Sequence, residues 1–146
     1  MKLDDVQGAL VYFEEGLTVR KQLSDANKSN YQYRRDVSLT LDRIGAAKLE
    51  LNDIPGSLAA AEESLAIARD LAELRKNDID AQTDLVVGLY KLAKVAGGER
   101  KDAVIAEGLL LARLDAAGKL NDDQKGWTES FVTLRKGPQE IGAADR

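Results

Sequence analysis

Apolar residues recur every three or four positions along almost the whole chain, and short polar breaks divide them into segments. Val6, Leu10, Phe13 and Leu17 form the first stripe and predict a helix from Asp5 to about Ala26. Asn27-Lys28-Ser29-Asn30 interrupts it. Val37, Leu41, Ile44, Ala47 and Leu51 predict a second helix from Tyr31 to Leu51. Asn52-Asp53 ends that helix and Asp53 is placed to cap the next one. Pro55 falls in the following first turn, where its missing N–H costs nothing. Leu58, Ala61, Leu65, Ala68 and Leu71 or Ala72 carry the third helix to about Arg75. After a second break at Lys76-Asn77-Asp78, a fourth helix is expected from Asp80 to Ala96, stopped by Gly97-Gly98. A fifth spans Lys101 to Ala117 and ends at Gly118. Asn121 with Gln124 three residues on is a capping-box pattern that opens a sixth, which ends near Lys136 before Gly137-Pro138. Valine and isoleucine stand singly at helical spacing, never in alternating runs. The expectation is an all-α fold in one domain over residues 1–138, with 139–146 a frayed tail.

The segments also repeat. Asp5, Gly8, Leu10, Glu14, Glu15, Leu17, Leu23, Asp36 and Leu41 recur 48 positions later as Asp53, Gly56, Leu58, Glu62, Glu63, Leu65, Leu71, Asp84 and Leu89. Conservative matches such as Val19/Ile67, Lys21/Arg69, Arg43/Lys91 and Ile44/Leu92 fill the register without an insertion. A fixed period of this size is the signature of stacked helical units that bury their apolar faces on one another. A third, degenerate copy is visible where Glu63 to Arg69 resembles Glu107 to Arg113 at an offset of 44. The sixth helix then reads as a terminal cap, with Trp127, Phe131 and Leu134 facing back onto the fourth and fifth.

Composition narrows the chemistry. A 146-residue chain suits one domain that buries roughly 70% of its unfolded surface. The net charge of -4 is spread evenly: residues 1–52 carry 8 basic and 8 acidic side chains, 53–98 carry 5 and 8, and 99–146 carry 8 and 9. No basic stripe exists to collect phosphates, so nucleic acid is not an expected partner. The longest nearly uncharged run, Ile79 to Tyr90, contains Asp80 and Asp84, so no membrane span is expected, and the N-terminus does not resemble a signal peptide. Cytoplasm is the default placement. The absence of cysteine and histidine removes thiol nucleophiles, disulfides, soft metal sites and imidazole bases.

The second and third helices resemble one tetratricopeptide repeat, a pair of antiparallel helices. Ile44-Gly45 stands for the family's Leu-Gly, Leu41 for its first-helix aromatic, and Asn52-Asp53-Ile54 for Gly-Asp-Tyr at the turn. Ser57-Leu58, Ala61 and Ser64-Leu65 stand for the second-helix signature, which Ala9-Leu10, Phe13 and Gly16-Leu17 match again in the first helix. Leu89 and Leu92-Ala93 match the first-helix half once more. The period departs from the family's 34 residues and implies helices about two turns longer each. Tyr33-Arg34-Arg35-Asp36-Val37-Ser38 is similar to a Trp-Gln-Arg-Asp-Leu-Ser segment of long-period variants found in bacterial multi-repeat proteins. The resemblance covers about residues 5 to 130. It implies a right-handed stack of antiparallel helix pairs of about six helices, here the C-terminal part of a longer array.

The resemblance also implies a function. In the family, outward positions of the first-type helices line a concave groove that holds peptides. Those positions here are Leu39, Asp42, Arg43, Ala46 and Leu49, then Val87, Tyr90, Lys91 and Lys94. Arg43 and Lys91 are equivalent in the repeat, so they are expected side by side. With Lys94 and Tyr90 they suit a peptide carboxylate or acidic side chain. The expectation is a non-enzymatic protein-binding module without cofactor or metal. The alternative is a structural spacer or oligomerisation segment of a larger bacterial signalling protein. Helix one, a second-type helix without its first-type partner, leaves apolar surface for pairing with another copy.

Other constellations have plainer readings. The pairs Asp4-Asp5, Glu14-Glu15, Glu62-Glu63 and Asp122-Asp123 diverge by about 100° on a helix and do not converge on one atom. Serines and threonines lack a base at useful spacing, and Gly97-Gly98 lacks the strand and further glycines of a phosphate loop. Tyr31 and Tyr33 are expected to cover an interhelix corner with their hydroxyls in water.

Overall fold

The computed structural model describes residues 3–116 and 126–136. They form six α-helices, and no strand occurs among the described residues. The helices are α1 (Leu3–Ala26), α2 (Tyr31–Glu50), α3 (Ile54–Leu74), α4 (Ile79–Val95), α5 (Gly98–Ala116) and α6 over residues 126–136. Each of α1 to α5 begins or ends within three residues of its expected bounds. The largest difference is at α5, which starts at Gly98 rather than Lys101 because Gly98 takes φ +54° and turns the chain directly into the helix. The expected cap at Asn121, the stop at Gly118 and the tail at 139–146 lie outside the described residues.

The breaks between helices are built from caps. Asn30 accepts the Tyr33 N–H on its side chain at 3.0 Å and so starts α2. At the end of α2 the chain reverses in two residues. Asn52 takes φ +61°, its N–H bonds the Leu49 carbonyl, and the Asp53 N–H bonds the Lys48 carbonyl at 2.8 Å. This is a Schellman ending with asparagine in the left-handed position. Asp53 then caps α3 through its carboxylate and the Gly56 N–H at 2.9 Å, as expected. Asp78 does the same for α4, accepting from the Asp80 and Ala81 N–H groups. The second break is therefore an N-cap, as Asn30 is in the first.

The chain falls into two compact units, residues 1–88 and 89–146. In the first, α2 and α3 run antiparallel: Ser38 meets Ser64 while Gly45 meets Ser57. They approach closely because the interface is lined by small residues. A Cβ on Gly45 would lie 3.5 Å from the Ser57 carbonyl oxygen and 3.6 Å from the Ala60 Cβ. Buried hydroxyls in that interface are satisfied: Ser57 donates to the Gly45 carbonyl at 2.8 Å, and Ser38 and Ser64 bond each other at 2.9 Å. Helix α1 packs on the pair through Val6 and Leu10, which form a core with Ile44, Ala47 and Ala60, flanked by Phe13, Leu17 and Leu51. The start of α4 lies beside α2, joined by Arg35 and Asp84.

In the second unit Leu89, Leu92 and Ala93 of α4, Val104 and Ile105 of α5, and Phe131 of α6 are buried. The Phe131 ring sits on Gly108, where a Cβ would overlap it. It also meets the Tyr90 ring edge-on at 5.8 Å between centroids, and Trp127 meets Tyr90 at 6.0 Å. Trp127 and Phe131 thus pack back as the spacing predicted, and Leu134 is half-buried.

Candidate functional site

Helix α2 carries the first set of expected groove positions. Its buried side is formed by Val37, Ser38, Leu41, Ile44 and Gly45, and the opposite side presents Arg43, Ala46 and Leu49 to solvent. Leu49 is 37% exposed, which adds an apolar group to the solvent side of α2. Leu39 and Asp42 are half-buried at the edges of this stripe. The Asp42 carboxylate accepts the Ser64 hydroxyl at 2.7 Å, so it is tied to α3 and helps to hold the hairpin. Val87, on the first half of α4, is half-buried.

In the second unit Lys91 and Lys94 are exposed, and Tyr90 is half-buried. Tyr90 was expected to offer a ring to a ligand. Its ring is engaged on the edge by both Trp127 and Phe131, with the Lys94 ammonium 5.9 Å from its centroid. A cation at that distance gains modestly from the ring's negative face. Tyr90 therefore anchors α6 and orients Lys94.

A second constellation, in the first unit, was not singled out from the sequence. A cleft of about 400 Å³ opens at the start of α2, lined by Asn30, Tyr31, Arg35, Arg75, Asp78 and Asp80, among others. The Arg75 guanidinium lies 3.7 Å above the centre of the Tyr31 ring and reaches Asp78 at 3.4 Å. Arg35 grips Asp84 with two N–H groups, at 2.6 and 3.3 Å. That bond to Asp84 holds the Arg35 guanidinium above its ordinary pKa, against the cost of burial. The Tyr31 hydroxyl corrects an expectation: the ring does cover the corner, but its oxygen is buried and has no hydrogen-bond partner among the described residues. Burial first, then Asp78 and Asp84, push the phenol pKa up, so the hydroxyl stays protonated. Arg35 and Asp84 stand 49 positions apart, on α2 and α4, so no local spacing announces the pair.

These charges compensate one another within the cleft, Arg35 with Asp84 and Arg75 with Asp78. Such a corner locks helices together, and with Asp80 also lining it the cleft has no surplus of cations to recruit an anionic ligand. Among the described residues no group of three or more acidic side chains is arranged to hold a metal, and no helix is long and apolar enough to cross a membrane. Known protein families, characterised proteins and solved structures give no match to this chain.

Proposed function

We propose that this chain is a non-enzymatic protein-recognition module of the tetratricopeptide-like kind, which holds an acidic or carboxylate-bearing peptide on the outward faces of its first-type helices. The observation that carries the reading is the composition of the solvent face of α2. Arg43, Ala46 and Leu49 stand exposed opposite the buried Val37, Ser38, Leu41, Ile44 and Gly45, and Arg43 recurs in the repeat as the exposed Lys91. A cation next to small and apolar groups suits a peptide, which offers carboxylates and side chains together. Lys94, set over Tyr90, adds a second cation one turn beyond Lys91. The non-enzymatic part of the reading rests on the side-chain inventory: without histidine or cysteine, and with its buried serines bonded into helix contacts, the chain has no activated nucleophile among the groups described.

The test is a fluorescence-anisotropy screen of acidic, neutral and basic peptide pools against the purified chain. Acidic pools are expected to bind, and the Arg43→Glu, Lys91→Glu double variant to lose them while its circular dichroism and melting stay unchanged. Equal binding of all pools, or of the double variant, overturns the reading.

A further inference from the structure

Helix α1 exposes a continuous apolar face on the side away from its core. Tyr12 is 72% exposed, Val19 56% and Leu23 44%, with Gly16 between them. In α3, three of the four positions 48 residues on are covered instead: Ala60, Ser64 and Leu71 are 6%, 2% and 3% exposed, and Ile67 is half-buried. A groove of about 350 Å³ runs along this face, where Val19, Arg20 and Leu23 meet Tyr33 of α2.

We infer that a second copy of this chain covers the face, α1 lying parallel to α1 about a two-fold axis. The spacing 9, 12, 16, 19, 23 is that of the a and d positions of a coiled coil, occupied by Ala9, Tyr12, Gly16, Val19 and Leu23. Glu15 then takes a g position and Arg20 an e position. In a parallel pair, g of one helix meets e of the other five residues on, so Glu15 of each copy faces Arg20 of the other, twice over. An antiparallel pair would set Glu15 against Glu15, which charge disfavours.

The structure prepares both groups for this. The Arg20 guanidinium folds back over Gly16, where a Cβ would overlap it, and therefore leans one turn towards the level of Glu15. Among the described residues neither Glu15 nor Arg20 is engaged in an ion pair. Glu63, the repeat equivalent of Glu15, already shows what that position does when a neighbour is present: it pairs with Lys21 of α1 at 2.6 Å. Gly16 leaves room for the arginine, and the Tyr12 ring stands 6.2 Å from that of Phe13. Because one helix pair buries less than the ~1,200 Å² of a stable interface, the dimer is weak and forms in the micromolar range.

The experiment is sedimentation equilibrium of the full chain from about 5 to 500 μM, a range set by that interface size. A monomer–dimer equilibrium is expected, rising from 15.9 kDa towards twice that mass. Glu15→Arg and Arg20→Glu should each weaken it about tenfold or more through like-charge contact, and the double exchange should restore it. Val19→Cys, in a chain that has no other cysteine, should oxidise to a symmetric disulfide-linked dimer. Each variant is checked for unchanged helicity. A monomer throughout the range, meaning that the face serves a different protein, overturns the inference. So does a dimer indifferent to the charge exchange.

Discussion

Tyr31 is the residue at which stability and local chemistry conflict most openly. Its ring is covered at the corner by Arg75, yet its hydroxyl is buried without a hydrogen-bond partner among the described residues. A buried, unsatisfied hydroxyl costs about 1–3 kcal/mol. Tyr31→Phe keeps the ring and removes the orphan, so it is expected to raise stability by about 1 kcal/mol in chemical denaturation. The phenol pKa is raised on folding, so the protonated form is favoured in the folded state. Its contribution is complete below the unfolded value of 10.0 and is lost as pH climbs through the higher folded value. Asp78 has the opposite sign. Its hydrogen bond from the Ala81 N–H, with help from Arg75 and the Asp80 N–H, lowers its pKa. The stabilisation is present above 3.8 and lost as pH falls through the lower folded value. Asp78→Asn should therefore lower the melting temperature at neutral pH and flatten its decline below pH 3.8, as read by thermal scans across that range.

At the scale of elements, the α2–α3 hairpin is held by closeness rather than by bulk. Gly45, Ser57, Ala60 and Ser64 let the two backbones approach, and the hydroxyls then find carbonyls within 3.2 Å. The geometry separates two substitutions at one site. Gly45→Ala meets only ordinary contacts at 3.5 and 3.6 Å, so helix propensity and crowding nearly cancel and stability should change by less than about 1 kcal/mol. Gly45→Leu has nowhere to go and should cost about 2–3 kcal/mol. Urea titrations of the pair decide it; equal effects would mean that the hairpin is more loosely packed than described. The Arg35–Asp84 grip acts between elements in the same unit, clamping the start of α4 to α2 with a paired, half-buried contact.

At the scale of the molecule, the face proposed for recognition and the face proposed for self-association are chemically distinct. The first carries cations, Arg43 in the first unit and Lys91 and Lys94 in the second, and the self-association face carries Tyr12, Val19 and Leu23 with a balanced Glu15 and Arg20. They should respond differently to salt. Peptide binding carried by exposed cations is expected to weaken severalfold between low and physiological ionic strength, because exposed charges are screened within about 10 Å at 0.1 M. Self-association should weaken less, because its apolar seam is indifferent to salt and only the Glu15–Arg20 pairs are screened. Titrations of both equilibria at two salt concentrations check this.

Much of the fold was legible in the residues because it depends on neighbours a few positions apart. The helical spacing of Leu41, Ile44 and Ala47 and the cap at Asp53 are local facts of the chain, and the structure places helices where they predict them. What the residues could not disclose is how groups far apart in sequence meet. Asp42 was read as a groove position, but its carboxylate is held by Ser64, a pairing set by how closely α2 and α3 approach. Tyr90 is a groove position by its place in the sequence, and only the fold brings Trp127 and Phe131 against its ring. The Tyr31 hydroxyl was expected in water, and only the arrival of Arg75 and Asp78 from another turn encloses it. Periodicity and capping fix where helices run, since both act through hydrogen bonds and burial within one or two turns. Which side chains remain free to bind is decided by tertiary contact, because a polar group is available only when no partner from elsewhere in the fold has already satisfied it.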